Sequence, residues 1–377
     1  MVQSQRQVFS IIAILILCSG SILADEPTDT IPPVSRSGFT MFPYISYTRE
    51  TKLVGGFGGL YYFRLDTIPK TRPSNITAST EYSQRKQFSI GIYPEFYLEG
   101  ESMVVTSTFK YSKYPGFLFG RGNRTTILDK ESYTPEGFKI IVNFLANLKG
   151  NSIRKGWNLG GIYDMRFDNI QNADTMASSR TGLIQSRSII GSAGGRVSGI
   201  GAVGNFDTRD NLFSALKGRY FDAKFILYGS ALASEYSYRK FIVDFREYYE
   251  GFRENDVVTY QAVASFVSTG APFYNFSSLG GEYLLRGYFN SRFRDNNALL
   301  AQAEYRAPIW WRFGAVGFVG VGDVYNTLDD LSFSTIRLSG GFGIRFAVMP
   351  DERANLRFDI GFSREEMQLY LGFFEAW

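Results

Sequence analysis

Three arginines in one unusual stretch are the residues of this chain best suited to specific chemistry. The stretch runs from Gly280 to Arg294 and combines the three guanidinium groups with four aromatic residues and no proline. A guanidinium can bind a carboxylate through two parallel hydrogen bonds, so a loop of this kind can form specific ion pairs. A merely solvated loop has little need of Leu285, Tyr288 or Phe289. The composition therefore predicts a loop that folds back into the protein.

Histidine is absent from the whole sequence. Catalysis by Ser-His-Asp or Cys-His groups, histidine-ligated metal sites and histidine pH switches are therefore excluded. No carboxylate pair or activated nucleophile stands out either, so we expect no enzyme, no cofactor and no bound metal. The glycine-rich segment 120–124 does not precede a helix, as a phosphate-binding loop would, and is interpreted as an ordinary loop.

The first residues are typical of a signal peptide for export. An uninterrupted apolar run, Ile11–Leu17, follows a basic residue and precedes a cleavage site at Ala24. The run is too short to cross a bilayer, which takes about 20 residues. We expect a signal peptide over residues 1–24 and a polar lead over residues 25–37. The single cysteine, Cys18, would be removed with the signal; lipidation at this cysteine is the alternative.

Composition and periodicity together indicate an all-β transmembrane barrel over residues 38–377. The chain is rich in glycine (39), tyrosine (24) and phenylalanine (34), and it breaks into alternating segments of about 10 to 14 residues, as membrane barrels do. Its net charge of +4 is spread without a basic cluster, so nucleic acid is not an expected partner. We predict about sixteen antiparallel strands. They cover residues 38–49, 52–64, 74–85, 87–99, 102–112, 134–148, 152–166, 190–209, 216–230, 236–250, 254–268, 297–309, 313–325, 333–348, 353–364 and 367–377.

Alternation within these strands assigns two faces. In 297–309, Leu299 and Tyr305 share one face and Glu304 lies on the other, and in 353–364 Phe358 opposes Asp359 in the same way. We expect the apolar face to meet lipid and the charged face to line a wet lumen. A large soluble sandwich is the alternative fold.

The links and the last strand fit a barrel. Long links (112–133, 168–189 and 269–296) fall at one end and short turns at the other, the asymmetry of outer-membrane barrels. The last strand is similar to the C-terminal signal by which such barrels are recognised for assembly, with Phe373 and Trp377 on one face.

Three separated stretches share a pattern with a known family. Their residues are, in chain order, Asp207, Arg209, Asp210 and Gly218; Gly280, Gly281, Arg286, Gly287 and Tyr288; and Phe318 to Gly322. Together they resemble the BamA/TamA superfamily of outer-membrane insertases and translocases, also called the bacterial surface antigen family. The chain departs from the family at Gly320, where an Asp is usual, and residues 25–37 leave no room for a periplasmic POTRA module.

The resemblance implies that the sixth extracellular loop folds into the lumen and that its arginine contacts acidic residues of the wall. Gly320 has no carboxylate, and the parity of Asp323 places it toward lipid or at the end of its strand. We therefore expect Arg286 to pair with Glu304, with Asp359 as the second choice. Such a pair should contribute about 1–3 kcal/mol to stability. Gly287 would let the backbone pass close to the wall. A solvated loop is the alternative.

The resemblance also implies a location in the bacterial outer membrane and a role in inserting or translocating proteins, or lipid. The expected partners are outer-membrane lipid and lipopolysaccharide, an unfolded outer-membrane or secreted protein as substrate, and a separate periplasmic POTRA-like or chaperone protein. The alternative is a passive pore or structural barrel, which the missing Asp at position 320 favours. An outer-membrane enzyme is a third, disfavoured possibility.

Overall fold

Sixteen long strands form the fold of this protein. The computed structural model describes residues 37–48, 51–65, 68, 71–175, 182–351 and 353–377, so the predicted signal peptide lies outside it. The strands are β1 (Ser37–Thr48), β2 (Lys52–Phe63), β3 (Ser74–Ser83), β4 (Phe88–Leu98), β5 (Met103–Lys113), β6 (Glu131–Asn147), β7 (Gly156–Thr175), β8 (Gly194–Asp207), β9 (Gly218–Tyr228), β10 (Tyr238–Glu250), β11 (Val257–Val267), β12 (Asn297–Trp310), β13 (Phe313–Tyr325), β14 (Arg337–Met349), β15 (Ala354–Ser363) and β16 (Met367–Phe373). Three short strands, Gly116–Leu118, Ser277–Leu279 and Phe293–Asp295, lie in the links.

Each long strand pairs antiparallel with the next one along the chain, from β1 to β16. The two end strands, β1 and β16, approach each other with Cα atoms within 8 Å. No ladder joins them among the residues that the structure describes. We call this junction the seam. The expected all-β barrel fold is confirmed, and its curled sheet leaves the seam as the one junction without strand pairing in the described chain.

The alternating sequence explains why the sheet has two different faces. Large apolar side chains such as Phe57, Val319 and Phe342 are exposed on the outer face, whereas Glu304 and Asp359 are buried on the inner face. A barrel in lipid satisfies all backbone groups between strands and turns its apolar side chains outward. In the described residues, no helix is long and apolar enough to cross a membrane.

The links divide the barrel into a long-loop end and a short-turn end. The long-loop end carries the described link residues 114–130, 182–193 and 268–296, and the short-turn end carries links such as 99–102 and 311–312. Arg121 on the first long link pairs with Asp295 at the end of the third, so these links pack on one another.

Several predicted boundaries are wrong. Strand β7 continues to Thr175, well past the predicted end at 166, because residues 168–175 pair with the start of β6 beyond the expected barrel rim. Strand β1 begins at Ser37, one residue before its predicted start at 38. The last strand stops at Phe373, four residues before its predicted end.

Candidate functional site

The segment Gly280–Arg294 forms a compact loop inside the barrel, hereafter the lumen loop. Its backbone folds on itself, since the Gly280 N–H donates to the Leu284 carbonyl over 2.9 Å and the Gly281 N–H donates to the Tyr288 carbonyl over 3.1 Å. Both glycines and Gly287 have φ between +107° and +112°, a region that side-chain-bearing residues rarely adopt. The glycine spacing of the sequence is therefore required by the backbone path of the loop.

Arg286 at the tip of this loop binds two acidic residues of the wall, Glu304 on β12 and Asp359 on β15. Its Nη1 donates to Asp359 Oδ2 over 2.7 Å, and its Nη2 donates to Glu304 Oε1. The guanidinium carbon lies 3.6 Å from the ring centroid of Phe318, which adds a cation–π contact. Arg286 is 1% exposed and both carboxylates are equally inaccessible. The structure thus brings Arg286 together with both partners expected from the sequence rather than with one of them.

Three further arginines of the wall complete the ion network. Arg306 contacts Glu304 at 2.7 Å, Arg345 contacts Asp359 at 2.5 Å, and Arg357 reaches Glu282 of the lumen loop at 2.9 Å. Glu304 therefore faces two guanidinium groups and Asp359 faces three, which offsets the large penalty of burying charge. Alternation places these arginines on the luminal face, but the sequence alone does not reveal that they share the partners of Arg286.

The lumen loop is also held by its backbone and aromatic side chains. The Gly287 N–H donates to the Tyr370 hydroxyl over 2.9 Å, and that hydroxyl donates to the Tyr288 carbonyl over 3.2 Å. The Tyr288 hydroxyl donates to the Leu338 carbonyl over 3.1 Å. A Cβ at Gly287 would lie 2.7 Å from the backbone oxygen of Phe362, so only glycine fits there without displacement. The loop is consequently attached to β14, β15 and β16, and the last of these borders the seam.

Gly320 provides space for the loop. A Cβ at this position would lie 3.2 Å from Leu285 Cδ1 and 3.4 Å from Ser339 Oγ. Leu285 is fully buried and packs with Leu279, Tyr288 and neighbouring apolar residues. Gly320 therefore leaves the space that Leu285 fills against the strand, and Glu304 and Asp359 supply the carboxylates that bind Arg286.

The chain end departs from the predicted last strand over 367–377, in which Phe373 and Trp377 share one face. Phe374 has a positive φ of 59° and turns the chain inward. The Glu375 carboxylate then accepts a hydrogen bond from Arg345 over 2.8 Å, and Trp377 is only 2% exposed. Glu375 would lie on the lipid face if the strand continued, and burial of an unpaired carboxylate in an apolar medium is very unfavourable. Its pairing with the luminal arginine favours the turn instead.

The turn 208–217 between β8 and β9, hereafter the strap, contains the family turn motif. Asp207 and Arg209 pair with each other at 2.7 Å, and Gly218 closes the turn with a φ of 113°. Asp210 pairs at 2.5 Å with Arg353, which lies on the link between β14 and β15. The strap therefore reaches a wall far from its own strands, which a local motif does not indicate.

A ring contact also fixes the strap to the chain end. The rings of Phe213 and Phe374 stack with centroids 4.4 Å apart, and the Glu375 N–H donates to the Phe213 carbonyl over 3.4 Å. Burial alone raises the pKa of Asp210, but the hydrogen bonds from Arg353 and from the strap backbone outweigh this and hold that pKa below its ordinary value of 3.8. Asp210 is thus a charged anchor of the strap.

The other two arginines of the lumen loop bind at the long-loop end. Arg292 pairs with Glu365 at 2.7 Å, and Arg294 donates to the Tyr133 hydroxyl over 3.1 Å. Asp323 lies at the end of its strand, one of its two expected positions, and accepts hydrogen bonds from Asn123 and Thr335 over 3.2 and 2.6 Å. No cluster of three metal-ligating side chains is present in the part of the chain that the structure describes.

Comparison with known proteins agrees with this architecture. The Omp85 superfamily domain matches residues 72–373. The chain belongs to the Omp85 superfamily. This membership confirms the resemblance found in the sequence, since the matched range includes the lumen loop and the strap. No curated protein matches this Omp85 chain.

Solved structures show the same fold at low sequence identity. BamA from Haemophilus ducreyi lacking POTRA domains 1–3 aligns with a TM-score of 0.60 and 13% identity, over 90% of this chain and 70% of that one. CdiB from Acinetobacter baumannii aligns with a TM-score of 0.55 and 9% identity, over 90% of this chain and 60% of that one. CdiB from Escherichia coli aligns with a TM-score of 0.55 and 12% identity, over 89% of this chain and 62% of that one. The Omp85 chain thus spans about three fifths of the length of each CdiB chain.

Proposed function

We propose that this Omp85 barrel assists the insertion or translocation of proteins at the bacterial outer membrane. The observation that carries the proposal is the attachment of the lumen loop to β16, through the Gly287 and Tyr288 backbone and the Tyr370 hydroxyl. β16 borders the seam, where strand pairing is absent from the described residues. A loop held on that strand can keep the seam in a defined position while the seam edge stays available.

The chemistry of a free strand edge supports a protein as the substrate. An unpaired edge offers N–H and C=O groups to any incoming strand, and β-augmentation uses such edges for recognition. The long-loop end would face outside and the strap would face the periplasm. Lipid and lipopolysaccharide would surround the barrel, and a separate periplasmic POTRA-like or chaperone protein would deliver the unfolded chain.

A passive pore is the second candidate, and cavities of the lumen favour it. Three cavities of about 460, 320 and 330 Å³ lie along the wall strands, and the lumen loop borders the latter two. Bilayer conductance discriminates the two candidates. A steady large conductance, equal in wild type and Arg286→Ala, fits a passive pore and contradicts a loop-gated barrel.

The test in cells uses Tyr370→Phe, which removes only the hydroxyl that bridges loop and β16. The matched control is Tyr82→Phe, a tyrosine exposed on β3. Under the proposal, depletion of the protein lowers the levels of other outer-membrane barrels or of exported substrates. Wild type and the control restore these levels, and Tyr370→Phe restores them incompletely. Normal levels after depletion contradict the proposal.

A further inference from the structure

A row of cations crosses the luminal face of β5, β6 and β7. In the strand register, Lys110 of β5 lies directly opposite Lys139 of β6, and Lys139 lies directly opposite Arg166 of β7. Cβ atoms of directly opposed residues are about 5 Å apart, and like charges in that relation destabilise a sheet. Nothing in strand pairing requires this arrangement, so it needs a compensating interaction.

Neither lysine of the row has a direct hydrogen-bond or ion-pair partner within the described chain. Lys110 and Lys139 are half-buried and make neither a hydrogen bond nor an ion pair within 4 Å. Arg166, by contrast, binds Asp168. Lys240 of β10 donates only to the carbonyl oxygen of Asn275, over 3.1 Å.

Two cavities place these cations around shared space. One, of about 330 Å³, is lined by Lys110, Lys139 and Arg166. The other, of about 320 Å³, is lined by Lys139, Arg166 and Lys240. Lys139 and Arg166 belong to both, so Lys139 stands between two spaces, each large enough for a small ligand with its water.

The acidic residues nearby already have partners. The Tyr228 hydroxyl donates to Asp164 over 2.7 Å, and the Ser89 hydroxyl donates to Glu81 over 2.7 Å. Together with Asp168 these are three carboxylates against the four cations, so one positive charge remains. Of the other charged residues lining the two cavities, Asp222 pairs with Lys224 and Asp244 with Arg246, while Glu282 pairs with Arg357, which lines neither cavity.

We propose that this half of the lumen holds a binding site for a small oxyanion, a phosphate or carboxylate group, on Lys139 with Lys110 and Lys240 on either side. Clusters of Lys and Arg side chains select anions in other membrane pores. A low-dielectric wall strengthens the attraction compared with water. The site does not depend on the proposed transport function, because none of its three lysines lies on a seam strand or in the Arg286 pairs.

Direct binding to the full-length barrel in detergent tests the site. The probes are inorganic phosphate and acetate, titrated by calorimetry at an ionic strength held constant with NaCl. The variant is Lys110→Gln/Lys139→Gln, which keeps side-chain length but removes both charges. The matched control is Lys149→Gln/Lys155→Gln, two exposed lysines in one short turn.

The expected result is phosphate or acetate binding to wild type and control, weakened at least tenfold in Lys110→Gln/Lys139→Gln. Stronger phosphate binding assigns the site to phosphate groups, and stronger acetate binding assigns it to carboxylates. Unchanged binding in the variant overturns the proposal, as does the absence of binding to wild type. Thermal unfolding without ligand verifies that Lys110→Gln/Lys139→Gln folds. If this variant is more stable than wild type but binds the anions equally well, the proposal is also overturned.

Discussion

Replacement of Arg286 by alanine is the sharpest test of the lumen loop. The change removes the hydrogen bonds to Asp359 and Glu304 and the contact with the ring of Phe318. Breaking a buried ion pair by removing one partner costs about 3–5 kcal/mol, since the other charge stays buried.

The surrounding arginines determine where in that range the value falls. Glu304 keeps Arg306 at 2.7 Å and Asp359 keeps Arg345 at 2.5 Å, so neither carboxylate is left without a cation. We therefore expect the low end, about 3 kcal/mol, or roughly two orders of magnitude in the unfolding equilibrium. Arg286→Lys retains the charge, but one ammonium group lacks the fork that reaches both carboxylates, and an intermediate loss follows.

The assay is equilibrium urea unfolding of the barrel in lipid vesicles, followed by tryptophan fluorescence. The matched control is Arg85→Ala, which removes an exposed arginine from a short link and should change stability by no more than about 0.5 kcal/mol. If Arg286→Ala behaves like this control, the ion network does not hold the loop. If Arg286→Lys is as stable as wild type, the binding of both carboxylates by one guanidinium group does not contribute to stability.

Three further substitutions test how closely the lumen loop packs against the wall and how the strap is anchored. Gly287→Ala, at a φ of 111°, should destabilise the barrel by about 2 kcal/mol because of backbone strain. The control is Gly317→Ala, whose added Cβ meets no atom within 4 Å and should leave the urea midpoint nearly unchanged. Equal midpoints for the two variants would contradict the close packing of Gly287 against the wall. Gly320→Asp should lower the thermal unfolding temperature, because the added Cβ would lie 3.2 Å from Leu285 Cδ1. An unchanged unfolding temperature would show that Leu285 is not closely packed against this position. Asp210→Asn should cost roughly 0.5–1 kcal/mol at pH 7, as expected for a part-exposed pair. Because the folded pKa of Asp210 is lowered, its contribution is present at neutral pH and is lost as the pH falls below 3.8 and through that lowered pKa; an Asp210→Asn difference that stays constant as the pH is lowered through this window would contradict the pairing with Arg353.

Much of the barrel is written in the local sequence. Alternation has a period of two in any strand, so apolar and charged faces can be read without knowing which strands are neighbours. That rule places Glu304 and Asp359 in the lumen, and the glycines around Arg286 indicate a loop with an unusual backbone. Sixteen strands, the loop and both candidate acids are therefore predictable.

The tertiary structure alone decides which charges meet. Residues 286, 304 and 359 come from distant parts of the chain, and only the curl of the sheet places one guanidinium between two carboxylates. The inward turn after Phe373 is decided in the same way, because the luminal arginine that attracts Glu375 is 30 positions away. Alternation gives the face of a residue, but the closing of the sheet determines its partner.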